Sequence, residues 1–155
     1  MDRRLAAIMA ADVVGYSRMI ERDESGTVER LRSLRAELID PAVAAHSGRI
    51  VRMAGDGALV EFPSVVEATQ CAIDIQRGMH ERNQALPETQ RIVLRIGVNL
   101  GDIVVEEDNL HGDGINVAAR LEALAEPGSI LVTEQVAQNV EGKICLLYTS
   151  DAADE

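Results

Sequence analysis

Residues 5 to 14, LAAIMAADVV, form an apolar run in which Asp12 is the single polar side chain. Apolar side chains at both odd and even positions leave no face for water, so the run reads as a strand covered on both sides and central in a sheet. It ends at Asp12-Val13-Val14-Gly15, a turn containing glycine. Arg3 and Arg4 ahead of it resemble the start of a secretion signal, but Asp12 interrupts the run, and a buried strand is the better reading.

The remaining elements follow from periodicity. Val28, Leu31, Leu34 or Arg35, Leu38 and Ala42 recur at helical spacing. Pro41 either kinks this helix or restarts it with Asp40 as cap, and Gly48 closes it. Strands near 49–54 and 57–62 make a hairpin around Gly55-Asp56-Gly57. Ser64 and Glu67 form a capping box ahead of a helix whose stripe is Val65, Ala68, Ala72, Ile75 and Met79, with Pro87 at its exit. Residues 92–100 and 102–106 read as two strands separated by Gly101, and the polar loop EDNLHGDG leads into the helix INVAARLEALA, stopped by Pro127-Gly128. A strand, SILVT, and a short helix from Glu134 complete the pattern. This order predicts one α+β domain of ferredoxin-like (split βαβ) type, a mixed sheet with helices packed on one face.

Composition narrows the function. Aromatic residues are 2% of the chain (Tyr16, Phe62 and Tyr148), so the core is aliphatic and there is no stacking platform for single-stranded nucleic acid. A net charge of -11 disfavours nonspecific binding to nucleic acid or to an anionic membrane, so a polyanionic ligand needs local cations or metal ions. No segment approaches the length of a membrane span. Cys71 and Cys145 can form at most one bridge, and with Cys71 inside a helical pattern, buried thiols in a reducing, cytoplasmic compartment are expected.

Two constellations can carry chemistry. Asp12 ends the first strand and Asp56 tips the hairpin, and a split βαβ sheet lets the two converge at one rim. Paired carboxylates suit hard divalent cations completed by substrate phosphates. The same residues also have plain uses, Asp56 as a turn former and Asp12 as a helix cap. Asn116 and Arg120, four apart on a helix, project from one face and can orient a sugar and meet phosphate charge, or stand as solvated polar residues. The small residues around them, Ala118, Ala119 and Ala123, let a partner backbone approach.

AADVVGYS, GDGALVEF, IGVNLGDIVVE and HGDGINVAARLEALAEPGSILVT together resemble the catalytic domain of class III nucleotidyl cyclases, particularly bacterial adenylate cyclases, over roughly residues 5 to 143. The resemblance implies a homodimer with active sites shared between subunits, converting ATP to 3′,5′-cyclic AMP and pyrophosphate for intracellular signalling. It implies two Mg²⁺ or Mn²⁺ ions per site on Asp12 and Asp56 with the Val13 carbonyl, and amide donors from Gly15, Tyr16 and Ser17 to the phosphates. Asn116 and Arg120 of the opposing subunit match the pair that orients the ribose and stabilises the transition state. Arg52 and Asn109 stand where adenylate-type members usually carry lysine and aspartate in contact with the base. Arginine can serve adenine N1, and Asn109 can accept from the adenine amino group or, flipped, donate to guanine O6. Alternatives for these two are a strand-edge cation and a loop turn.

The resemblance also implies further strands and a triphosphate-binding lysine after Lys143, where this chain continues as ICLLYTSDAADE. The expectation is therefore a catalytic domain over 1–143, truncated at its C-terminus, with 144–155 a non-native or disordered tail and weakened activity. The alternative function is a silent cyclase-like dimerisation or nucleotide-sensing module. A diguanylate-type cyclase is disfavoured because the Gly-Gly-Asp/Glu-Glu-Phe signature is absent. His46, His80 and His111 show no metal-ligand spacing, and Glu106-Glu107-Asp108 reads as a solvated acidic loop.

Overall fold

The computed structural model of the protein describes residues 2–54, 56–107 and 109–143; the expected tail at 144–155 lies outside them. The apolar run sits in β1 (Asp2–Val13). It is followed by α1 (Tyr16–Arg22), α2 (Glu24–Leu34) and α3 (Asp40–Ala45), the last two joined by a π-helical turn, Arg35–Ile39. The hairpin is β2 (Arg49–Ala54) and β3 (Gly57–Phe62), α4 spans Val65–Gln84, and β4 (Leu94–Glu106) and β5 (Asn109–His111) precede α5 (Asp113–Leu124), β6 (Ile130–Val132) and α6 (Glu134–Val140).

Among the described residues the sheet runs β2-β3-β1-β4-β5, with β6 on β4. β1 is central, antiparallel to both β3 and β4, and β6 supplies the parallel pairing that makes the sheet mixed. Ile8 and Met9 point to opposite faces and are 0% and 1% exposed, each burial contributing about 1.5–3 kcal/mol. Met9 joins a core of Leu34, Phe62, Ile75 and Val136, built with α2, α3, α4 and α6. Ile8 joins Leu59, Ile103, Ile115 and Ala118 on the other side. Helices on one face thus describes α1 to α4 and α6; α5 packs on the opposite face, because β1 has two apolar faces to cover.

Three local expectations change. The strands placed at 92–100 and 102–106 are one strand, β4, which passes through Gly101; the turn falls at Glu107, with φ 49°, and Asn109 is in a strand instead of a loop. Asp40 does not cap a new helix: its own backbone is helical, and a widened, π-helical turn, Arg35–Ile39, precedes Pro41. Ser47 takes the left-handed position after α3, at φ 60°. Gly48 is needed for a different reason: a Cβ there would lie 2.6 Å from Phe62 Cε2.

The α4 prediction holds for the apolar stripe and for the Ser64 half of the capping box. Val65, Ala68, Ala72, Ile75 and Met79 are all buried, and Ser64 Oγ accepts from Glu67 N–H at 3.2 Å. The Glu67 carboxylate turns to His46 Nδ1 at 2.8 Å, while His46 Nε2 meets Asp74 at 2.8 Å. Both ring nitrogens face carboxylates, so the imidazolium is the form this geometry favours. Burial pulls its pKa down, and the hydrogen bonds and charges of Asp74 and Glu67 outweigh that and raise it above 6.5. Cys71 is a free, buried thiol, pushed up to about 12 by burial and then by the charges of Asp74 and Glu67.

Candidate active site

Side chains alternate along β1, so Asp12 shares the α5-facing side with Ala6, Ile8 and Ala10. The ladder continues between β1 and β3 to Ala11↔Ala58, which brings the hairpin tip beside the end of β1. Asp56 Oδ2 there accepts from Val13 N–H at 3.3 Å. Asp56 therefore forms the turn and also faces the strand end that carries Asp12. The two readings of that residue are compatible.

The carboxylates have neighbours that the sequence reading did not single out. Arg95 is the cross-strand partner of Asp12, with Nε 3.5 Å from Oδ1. Glu122, on α5, lies 3.9 Å from Arg95 Nη2. Burial first, then a hydrogen bond to Asp12 and the charges of Asp12 and Asp56, push the Glu122 carboxyl up to about 7 against the pull of Arg95. Asp12, Asp56, Glu122 and Arg95 thus form one charged cluster at the strand end. A signal was available: Arg95, Gly97, Asn99 and Gly101 occupy every second place of a central strand, which marks a side where no bulky apolar group fits.

What fits there is helix backbone. A Cβ on Gly97 would lie 2.5 Å from Glu122 N and 2.7 Å from Ala118 O, and Asn99 Nδ2 donates to Gly114 O at 3.1 Å. Ala118 is fully buried in this contact, so it serves α5 packing on its own sheet and is not free for a partner. The outward face of α5 carries Asn116, Ala119, Arg120, Ala123 and Leu124, all exposed; Leu124 is 63% exposed. Among the described residues, neither the Asn116 amide nor the Arg120 guanidinium has an ion pair or hydrogen bond. Arg120 and Glu122 are two apart on a helix, about 200° around the axis, so they point nearly oppositely. One chain brings Asp12 and Asp56 together and turns Arg120 away from them.

Arg52 and Asn109 do meet, although β2 and β5 lie at opposite ends of the strand path. Arg52 Nη2 donates to Asn109 Oδ1 and to the Leu110 carbonyl, both at 3.1 Å, so the sheet curls until its edges approach. The ladder slips between Ile50 and Arg52, setting Arg52 opposite Leu59. Such a bulge puts Val51 and Arg52 on the same side. A strictly alternating β2 would aim Arg52 at the other face.

Gly15 adopts φ 68° ahead of α1. The amides of Tyr16 and Ser17 open that helix, where first-turn N–H groups have no intrahelical partner.

The carboxylate rim suits a hard cation. Asp12 Oδ1 is buried and has no hydrogen-bond partner, and two carboxylates plus a backbone carbonyl are the oxygen donors that Mg²⁺ or Mn²⁺ takes together with substrate phosphates. Among the described residues no group of three or more His, Cys, Asp or Glu could hold a metal ion by itself.

Residues 3–153 match the model of the adenylate and guanylate cyclase catalytic domain. A protein of Rhizobium meliloti (strain 1021), provisionally named adenylate cyclase 3, is 52% identical over 141 residues, covering 91% of this chain and 24% of that protein. An adenylate cyclase of Streptomyces coelicolor is 31% identical over 98% of this chain and 36% of its own length. This chain therefore spans a quarter to about a third of those relatives. The crystal structure of an adenylate/guanylate cyclase/hydrolase from Silicibacter pomeroyi superposes with a TM-score of 0.89 at 47% identity, over 96% of this chain and 86% of that one. With a rim of paired aspartates, an outward Asn-Arg helix face and this degree of likeness, the chain belongs to the adenylate and guanylate cyclase catalytic domains of class III.

Proposed function

We propose that the domain is an adenylate cyclase acting as a homodimer, in which each active site takes Asp12 and Asp56 from one chain and Asn116 and Arg120 from the other. The observation that carries this reading is the division within a single chain: the paired carboxylates converge at the sheet rim, and the helix bearing Arg120 turns it outward. A second copy, related by a two-fold axis, supplies what each chain lacks.

The reaction is an intramolecular substitution. The ribose 3′-oxygen attacks the α-phosphorus, the bond to the bridging oxygen of the leaving group breaks, and 3′,5′-cyclic AMP and pyrophosphate result. Asp12, Asp56 and the Val13 carbonyl would hold two Mg²⁺ or Mn²⁺ ions, whose chemistry is to acidify the 3′-hydroxyl and neutralise phosphate oxygens. The amides of Tyr16 and Ser17, beyond the Gly15 turn, donate to the triphosphate. Asn116 orients the ribose by hydrogen bonding, and Arg120 offers its fixed donor fork to the charge that grows on the phosphates. Positioning and electrostatics account for catalysis without a dedicated base.

Arg52 and Asn109 read the base. A guanidinium has no acceptor, so Asn109 turns Oδ1 toward Arg52 and NH₂ away from it. The second lone pair of Oδ1 accepts from the adenine amino group, and Arg52 donates to N1. The reduced, buried Cys71 agrees with a cytoplasmic setting. Among the described residues no helix is long and apolar enough to cross a membrane.

Incubation with ATP or GTP and Mg²⁺ or Mn²⁺, followed by chromatography, tests the reading. Cyclic AMP in excess over cyclic GMP supports it. Nucleotide binding without any cyclic product would leave a silent cyclase-like sensing module.

A further inference from the structure

Arg95 stands where the two halves of this chemistry touch within one chain. It faces Asp12 across the β1/β4 ladder, with Nε and Nη2 each 3.5 Å from an oxygen of that carboxylate. Its remaining nitrogen, Nη1, donates to the Ala123 carbonyl at 3.3 Å, in the last turn of α5. Carbonyls at a helix C-terminus have no intrahelical partner, and the helix dipole favours a cation there. Asp12 Oδ1 and Arg95 Nε are both buried without a hydrogen bond, so charge more than bond geometry holds this pair. The guanidinium fork is divided between a strand end and a helix end.

In the shared-site dimer those two ends serve different reactions. Asp12 belongs to one site, and α5 of the same chain carries Asn116 and Arg120 into the other. We propose that Arg95 is a positioning residue common to both active sites, holding Asp12 for one and the end of α5 for the other. The proposal rests on the shared-site reading above. It also explains the arginine set between Leu94 and Ile96 in a central strand: a single rigid fork can reach both targets, which a lysine's point charge does less well.

Loss of the guanidinium has separable effects. Asp12 loses a competing cation, so a divalent ion binds it more tightly. The Ala123 carbonyl at the end of α5 loses its donor, so the helix frays and Arg120 is less well placed.

The test begins without nucleotide. Arg95→Gln is expected to bind Mn²⁺ about threefold more tightly by electron paramagnetic resonance, and amide exchange in the last turn of α5 is expected to quicken about tenfold. Mixed dimers then separate the two roles. Combining an Asp12→Ala chain with an Arg120→Ala chain leaves one complete site. Arg95→Gln on the Arg120→Ala chain, which supplies the working Asp12, lowers the Mn²⁺ concentration for half-maximal rate. On the Asp12→Ala chain, which supplies the working Arg120, it lowers kcat about tenfold with the metal requirement unchanged. If Arg95→Gln fails to fold, Arg95→Lys is compared in the same way and still lowers kcat from the second position. An effect from one chain only overturns the proposal and leaves the shared site standing. Failure of the two parental variants to complement overturns the shared site and this proposal with it.

Discussion

Replacing Gly97 by alanine tests how closely the candidate site depends on α5 lying flat on β4. A Cβ there meets Glu122 N at 2.5 Å, Ala118 O at 2.7 Å and Leu121 Cβ at 2.8 Å. Comfortable contact begins near 3.5 Å, so α5 must withdraw by roughly 1 Å. Two of the three obstacles are helix backbone and cannot rotate aside. Overpacking of this kind costs about 1–3 kcal/mol, which lowers Tm by roughly 2–12 °C in a domain of this size. The helix carries Asn116, Arg120 and Glu122, so a displacement of about 1 Å is expected to lower kcat about 100-fold. Gly78→Ala is the control: its Cβ would meet Leu38 Cδ1 at 2.5 Å, but that atom ends a flexible side chain. Alanine also exceeds glycine in helix preference by about 1 kcal/mol, so Tm should hold or rise. Thermal unfolding by circular dichroism and cyclic AMP production, measured on both proteins, decide the matter. An unchanged Tm and rate in Gly97→Ala, or an equal loss in Gly78→Ala, refutes the close-packing argument.

Asp56→Asn keeps an oxygen that can accept from Val13 N–H, so stability should change by less than about 1 kcal/mol while metal-dependent activity falls at least about 100-fold; comparable losses of both would return Asp56 to a turn former. Two groups make the metal-free protein less stable as pH rises. Glu122 stabilises fully below its unfolded pKa of 4.5 and loses that contribution as pH rises through about 7, and His46 stabilises fully below 6.5 and loses it as pH passes its raised folded value. Glu122→Gln and His46→Gln should each flatten part of the Tm-against-pH curve between pH 5 and 8, and an unaltered slope in both contradicts these assignments. Asn109→Asp presents only acceptors, so the ratio of kcat/KM for ATP to that for GTP should rise about tenfold; an unchanged ratio removes Asn109 from base selection.

The central strand, the hairpin and the α4 stripe were legible because each depends on local periodicity or on turn chemistry. Asp12 and Asp56 were placed together from connectivity alone, since the split βαβ order sets β1 beside β3 whatever the side chains. Other features depend on contacts far apart in the chain. The bulge that redirects Arg52 leaves no mark in RIVRMA, and Gly101 looks like a break until Gly114 is seen pressed against it. The position of α5 on the opposite face follows from β1 being apolar on both sides, which leaves a second face to cover. Glu122 carries no signal in the sequence, because acidic residues on surface helices are ordinary. Its raised pKa arises from burial and two neighbouring aspartates, which only the folded chain provides.

Complementation measures the division of labour between chains most directly. Asp12→Ala and Arg120→Ala proteins should each be nearly inactive. After unfolding together and refolding as a random mixture, half the dimers are mixed and each has one complete site, so about a quarter of wild-type cyclic AMP production should return. Mixed dimers that form, bind nucleotide and make no cyclic AMP would contradict a catalytic centre built from both subunits.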